Sequence, residues 1–272
     1  MVVQGRTAAA TLRELGVRAS RRLGQHFLLD EGVARRQVDI ADIQKSETVV
    51  EIGPGLGVLT RLLAARAKRV IAIEKDSRLA SILETIGDRV EIVRGDALKV
   101  EWPAFDVMVA NLPYQISSPI LFRLLDQRFD RAVLMLQREF VERMVARPRT
   151  KDYSRLTVNV AHRAACEMLE TVPRSAFFPQ PRVESAVVRL ASRPPPYRVV
   201  DEKTFRECVD GCFGHRRKTI RNALDLEWRR FAPDRAGWRQ SILELPFLDR
   251  RADALSPAEF AHLSNAIAVA KG

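Results

Sequence analysis

The sequence predicts an α/β fold, a parallel doubly wound sheet followed by a small helical domain. Three observations carry this. Short β-branched runs alternate with amphipathic stretches between residues 48 and 146, the rhythm of strand–helix–strand units. The runs are apolar almost throughout, as strands covered on both faces must be. After a stiff break at Arg193-Pro194-Pro195-Pro196 the pattern turns wholly helical.

In chain order, TVVEIG (48–53), RVIAIE (69–74), VEIVRG (90–95), FDVMVAN (105–111) and AVLMLQ (132–137) are expected to be buried strands. Amphipathic helices are expected around 58–67, 77–86, 117–126 and 138–146. ESAVVRL (184–190) adds one more strand after the proline-rich loop PRSAFFPQPRV. Beyond the triple proline, DEKTFRECVDGCF, KTIRNALDLEWRRF and SPAEFAHLSNAIAVA read as helices, the last with Ser256-Pro257 at its N-cap and first turn. These signals divide the chain into a basic arm (1–24), an α/β domain (25–192) and a helical domain (193–272).

The 272 residues are 46% hydrophobic and 29% charged, which marks a folded chain rather than a disordered one. No apolar run approaches the ~20 residues of a membrane span. The first 20 residues scatter arginines and contain no apolar core, so no secretory leader is expected. Three cysteines cannot form a disulfide framework, which fits a reducing, cytoplasmic setting. Secreted scaffolds, membrane proteins and repeat fibres are excluded. The net charge is +11, densest in the N-terminal arm, where five arginines face one glutamate. Clustered cations gain from phosphates by counterion release. Arginine outnumbers lysine 37 to 8, which suits bidentate phosphate contacts but is equally what a GC-rich genome gives. Charge alone therefore leaves nucleic-acid binding and codon usage as equal readings.

Glu51-Ile52-Gly53-Pro54-Gly55-Leu56-Gly57 follows the first strand and leads into a helix. Glycines there let backbone approach a ligand closely. The spacing is G-x-G-x-G, not the G-x-G-x-x-G that seats a pyrophosphate on a helix N-terminus, which disfavours a nicotinamide-dependent oxidoreductase. Glu74 closes the second strand, 17 residues after Gly57, where a carboxylate can accept from two ribose hydroxyls. Asp96, in Gly95-Asp96-Ala97, follows the third strand and is placed to read an adenine amine, and Asn111 ends the fourth. One acid at a strand end is usually a helix cap; three polar groups in register behind a glycine loop point to an adenosine ligand held without phosphate contacts, namely S-adenosylmethionine.

Asn111-Leu112-Pro113-Tyr114 carries the chemical signal. An adenine N6 amine is a poor nucleophile because its lone pair is delocalised into the ring. The Asn111 side-chain carbonyl and the Leu112 backbone carbonyl could accept its two hydrogens and aim the lone pair at a methyl sulfonium. Pro113 offers no N–H and stiffens the turn, and Tyr114 offers a flat face to an unstacked base. Without Glu74 and Asp96, an ordinary Asn/Pro turn would be the default.

The ordered set Leu23-Gly24-Gln25-His26-Phe27-Leu28, EIGPGLG, Glu74, GDA, NLPYQIS (111–117), Tyr153-Ser154-Arg155-Leu156, AFFPQPRVES (176–185) and Arg216-Arg217-Lys218-Thr219-Ile220-Arg221-Asn222 resembles the KsgA-type small-subunit rRNA adenine N6,N6-dimethyltransferases. The motifs run from residue 23 to 222. The resemblance implies a Rossmann-like methyltransferase sheet with a small helical C-terminal domain. It implies S-adenosylmethionine-dependent dimethylation of two adjacent adenosines in the 3′-terminal hairpin of small-subunit rRNA, within a pre-ribosomal small subunit and during ribosome biogenesis, by a cytoplasmic monomer. It assigns cofactor contacts to Gln25, His26, Leu28, Gly53, Gly55, Glu74, Asp96, Ala97 and Asn111. The catalytic set becomes Asn111, Leu112, Pro113 and Tyr114, with Phe177 as a second stacking face. His26 stands where bacterial members usually have Asn, and Gln115 where many have Asn.

Arg216, Arg217, Lys218 and Arg221 form a dense basic turn expected to contact RNA backbone, against the plainer reading of a solvated helix face. Cys208, Cys212 and His215 share one helical face, but structural zinc wants four ligands and no second pair follows; no metal is expected. A non-catalytic RNA- or DNA-binding relative is disfavoured by intact Glu74, Asp96 and NLPY. A large-subunit rRNA methyltransferase of the antibiotic-resistance type would share the core, while the Arg216–Asn222 block leans toward the small-subunit enzymes.

Overall fold

The computed structural model describes Leu12, Glu14, Gly16 and residues 25–270, so the expected basic arm (1–24) otherwise lies outside the described residues. The described residues form two compact units: those up to 141 with 166–192, and 142–165 with 193–270.

In the first unit an antiparallel ribbon pairs β1 (Phe27–Leu28) with β8 (Phe177–Phe178). The main sheet holds β2 (Thr48–Ile52), β3 (Arg69–Glu74), β4 (Val90–Arg94), β5 (Val107–Asn111), β6 (Arg131–Gln137), β7 (Ala164–Val172) and β9 (Ser185–Ser192). Their order is β4-β3-β2-β5-β6-β9-β7. Strands β2 to β6 pair in parallel, and β9 runs antiparallel to β6, from Arg131 opposite Ala191 to Gln137 opposite Ser185. Helices α1 (Glu31–Ala41), α2 (Val58–Arg66), α3 (Ser77–Leu83), α4 (Ser117–Leu125) and α5 (Arg138–Met144) supply the connections. α1 begins where Asp30 accepts the Val33 N–H, and α3 where Asp76 accepts that of Arg78. Val33, Ala34 and Val38 of α1 and Leu59 and Leu63 of α2 pack on Val49, Val70, Val107 and Val133 of the sheet. Burial of these β-branched residues keeps the strands continuous and their carboxyl ends level.

The second unit holds α6 (Arg155–Arg163), α7 (Glu202–Gly214), α8 (Ile220–Leu226), α9 (Arg235–Ser241) and α10 (Pro257–Ala270). Asp201 caps α7 through the N–H groups of Lys203 and Thr204. Ser256 and Glu259 exchange hydrogen bonds at the start of α10, a capping box. Phe205, Cys208, Cys212, Trp238 and Phe260 form its core together with Tyr153 and Val158. A division at 192 therefore leaves out residues 142–165, because Tyr153 and Val158 bury their apolar surface in the second core. The sequence also gives no sign of β7: Ala, Glu and Met favour helix locally, and AACEMLETV is a strand because it extends the sheet beyond β9. Helices α1, α6 and α9 likewise lack an expectation. Among the described residues, no helix is long and apolar enough to cross a membrane.

The buried Tyr153 hydroxyl donates to the Leu255 carbonyl at 2.7 Å. Tyr153→Phe leaves that carbonyl unpaired and should destabilise the second unit by about 1–3 kcal/mol, read as a lower urea midpoint. An unchanged midpoint would show that the bond holds nothing.

Candidate active site

From β2 the chain builds β3 and β4 on one side and β5 and β6 on the other. The connections diverge beyond the carboxyl ends of β2 and β5, where open α/β sheets bind ligands. A crevice opens there. Among the expected cofactor residues, Gln25, His26, Leu28, Gly53, Gly55, Glu74 and Asn111 line it. The expected catalytic residues Leu112, Pro113, Tyr114 and Phe177 line it too.

The glycine loop is shaped by backbone that side chains disfavour. Gly53 and Gly55 have φ of 68° and 59°. A Cβ on Gly55 would come within 3.0 Å of the Phe27 ring, so a side chain there would be both strained and crowded. The Gly55 N–H donates to Glu74 Oε2 at 3.2 Å, and the Asp76 N–H to Glu74 Oε1 at 2.8 Å. These bonds tie the loop to the end of β3 and leave acceptor capacity on both carboxylate oxygens. Burial raises the Glu74 carboxyl above its usual range, against the backbone donors that lower it.

Glu51, which carries no role in the sequence reading beyond its place in EIGPGLG, also lines the crevice. Its side chain is buried, and Oε2 has no hydrogen-bond partner among the described residues. Burial pushes its carboxyl up to about 8, and the neighbouring Glu74 charge adds to the shift. Nothing but burial distinguishes Glu51 from any strand residue, and burial is not written in the motif.

Asn111 is the last residue of β5, paired in register with Met135. The Leu112 N–H donates to the Met135 carbonyl at 3.2 Å, and the Pro113 carbonyl takes the Ile116 N–H and the Ser117 hydroxyl. The turn is thus held from both ends. Asn111 Oδ1 is buried with no donor among the described residues, a costly state unless a ligand completes it. The His26 Nδ1–H donates to the Pro179 carbonyl at 2.6 Å, and the His26 ring lies 5.4 Å from that of Tyr114. Phe177 is buried in β8.

Asp96 and Ala97 are not among the crevice-lining residues. The Asp96 carboxylate accepts from Leu98 N and Lys75 Nζ, both at 3.0 Å, and these donors hold its pKa low. The Ala97 carbonyl takes the Trp102 indole N–H and the Arg123 guanidinium. Glu51, rather than Asp96, is the second acid in the crevice wall.

In the second unit, Arg216 Nη2 donates to the Thr150 carbonyl at 3.0 Å and lies 3.8 Å from Asp253, while Arg221 lies 3.7 Å from Asp249. Among the described residues, exposed Arg217 and Lys218 form no ion pair. The Arg149 N–H donates to the Asp253 carbonyl, and Thr219 bridges to Arg251. Loop 147–151 and residue 251 therefore flank the basic turn, adding exposed Arg147, Arg149, Lys151 and Arg251 to it. Segments so far apart in sequence show their common surface only when folded. Cys208 and Cys212 are core residues, and His215 Nε2 meets Glu227 Oε1 at 3.0 Å.

The Glu51 environment has a pH signature. In the unfolded chain this carboxyl titrates near 4.5, whereas in the fold it keeps its proton to about 8. Its contribution to stability is therefore fully present below 4.5 and is lost as pH rises toward 8, at up to about 1.4 kcal/mol per pH unit. Glu51→Gln removes that slope, so its melting temperature should gain on wild type between pH 5 and pH 8. An equal difference at both pH values would contradict the buried, protonated state.

Residues 16–236 match the family model for ribosomal RNA adenine dimethylase. The probable ribosomal RNA small subunit methyltransferase A of Methanopyrus kandleri is 47% identical over 264 residues, covering 94% of this chain and 95% of its own. Its counterpart from Thermococcus gammatolerans is 44% identical over 245 residues, covering 89% and 87%. Among solved structures, a dimethyladenosine transferase from Plasmodium falciparum matches with a TM-score of 0.77 at 31% identity, covering 88% of this chain and 96% of its own. The 23S rRNA methyltransferase ErmE matches at 0.67 and 30% identity, covering 89% and 99%. Agreement in sequence and fold over so much of its length makes this chain a member of the ribosomal RNA adenine dimethylase family, and an enzyme of that kind.

Proposed function

We propose that the enzyme uses S-adenosylmethionine to dimethylate the N6 amines of two adjacent adenosines in the 3′-terminal hairpin of small-subunit rRNA. It acts as a cytoplasmic monomer on a pre-ribosomal small subunit, in ribosome biogenesis. The observation that carries this reading is the buried, unpartnered Asn111 Oδ1 in the crevice wall. An exocyclic amine donates the hydrogen bond that this oxygen lacks, and a second acceptor at the Leu112 carbonyl takes the other hydrogen.

When bound, S-adenosylmethionine supplies an electrophilic methyl group on its sulfonium. The crevice residues fit such a cofactor. Glu74 keeps acceptor capacity for ribose hydroxyls, Glu51 Oε2 suits an amino group, and the loop at Gly53 and Gly55 admits close backbone approach. Asn111 orients the target amine, and Pro113 holds the turn stiff. Tyr114 and Phe177 offer flat faces to a base taken out of its stack. In the second unit Arg216, Arg217, Lys218 and Arg221, joined by Arg147, Arg149, Lys151 and Arg251, offer cations to RNA phosphates. A large-subunit rRNA target is the second reading, favoured by the likeness to ErmE. The small-subunit reading stands ahead of it because the relatives named for that subunit share 44–47% identity, against 30% for ErmE.

Two experiments test the proposal. Asn111→Ala should lower single-turnover methyl transfer to undermethylated small subunits by about 100-fold or more at saturating cofactor, the scale of one lost preorganised hydrogen bond. A near-wild-type rate would remove Asn111 from the chemistry. Replacing Arg149, Arg217 and Lys218 together with Ala should reduce the log–log salt slope of rRNA binding by roughly 2–3, leaving cofactor affinity in place. An unchanged slope would make these residues a solvated face.

A further inference from the structure

Ser185, the first residue of β9, is fully buried and does not line the crevice. Its Oγ lies 2.6 Å from the Tyr114 hydroxyl. Backbone pairing places it opposite Gln137 at the end of β6, so the hydroxyl is anchored to the sheet rather than to a loop. Six residues earlier, the Pro179 carbonyl holds His26, whose ring neighbours that of Tyr114. The segment from Phe177 to Ser185 thus contributes one aromatic wall itself and fastens two further rings.

We propose that Ser185 is a positioning residue for the methyl-transfer reaction: by holding the Tyr114 hydroxyl it fixes the direction of the ring on which the target adenine stacks, without touching the base. This rests on the stacking role given to Tyr114 above. Because the phenolic oxygen lies on the axis of the outer torsion, the bond acts on the inner one, whose freedom would otherwise let the ring swing away from the base. A bond to a fixed hydroxyl removes that freedom before RNA arrives, and preorganisation of this kind shows in rate rather than in cofactor binding. Burial raises the Tyr114 phenol above its ordinary range, so at physiological pH it is a neutral anchor and not a proton acceptor.

The test is a double-mutant cycle on single-turnover methylation of undermethylated small subunits at saturating S-adenosylmethionine. Ser185→Ala and Tyr114→Phe each remove the same bond and should each slow the reaction about 3- to 10-fold. The double variant should be no slower than the slower single one. Cofactor affinity, measured by calorimetry, should equal wild type in all three. A wild-type rate in Tyr114→Phe, or effects that multiply in the double variant, would overturn the proposal; the Phe variant leaves Ser185 packing intact and serves even if Ser185→Ala folds poorly. Tyr114→Ala separates the two readings. If it is slow while Ser185→Ala is not, only the positioning role fails; if it too runs at the wild-type rate, the stacking role fails.

Discussion

A carboxamide oxygen buried without a donor costs about 1–3 kcal/mol, and Asn111 carries one at the carboxyl end of a central strand. Much of the first unit is arranged to keep it there. Parallel pairing of β5 with β2 and β6 fixes the height of Asn111 above the sheet. The Leu112 N–H is engaged by Met135, which holds the backbone next to Asn111 against the sheet. Gln37 of α1, fully buried, donates to the carbonyls of Ala110 and Val133 at 3.3 Å and joins β5 to β6 just before the turn. The fold thus preserves a local deficit that a hydrogen-bond donor of the right shape completes.

The electrostatics divide along the same lines. The crevice holds two acids, Glu51 and Glu74, whose burial raises both carboxyls. Their oxygens suit hydroxyl and amino donors, and the described residues that line the crevice include no lysine or arginine to meet a phosphate. The second unit instead presents cations, several of them free of ion pairs among the described residues. Exposed ion pairs contribute little to stability, so cations left unpaired on one surface are better understood through what they attract.

Most of the sheet was legible because apolar β-branched runs such as RVIAIE admit one reading. β7 was not, since AACEMLETV has helix-favouring residues and becomes a strand only through its place beside β9. Glycine spacing, Glu74 and Asn111 located the crevice because strand ends of a parallel sheet must converge. The same logic places Asp96 beside the crevice; it lies outside the residues that line it, with Lys75 and the Leu98 N–H on its carboxylate. Glu51 and Ser185 carry no such signal in the sequence. Their meaning lies in burial and in one long-range contact, neither of which leaves a local pattern.

The positions at which methyl groups arrive decide which rRNA is the target. Undermethylated small and large ribosomal subunits would be offered together with isotopically labelled S-adenosylmethionine, and the digested rRNA analysed by mass spectrometry. N6,N6-dimethyladenosine is expected at two neighbouring positions in the 3′-terminal hairpin of the small-subunit rRNA, with no label in the large subunit. Label confined to large-subunit rRNA, or on atoms other than the adenine N6, would contradict the proposed function.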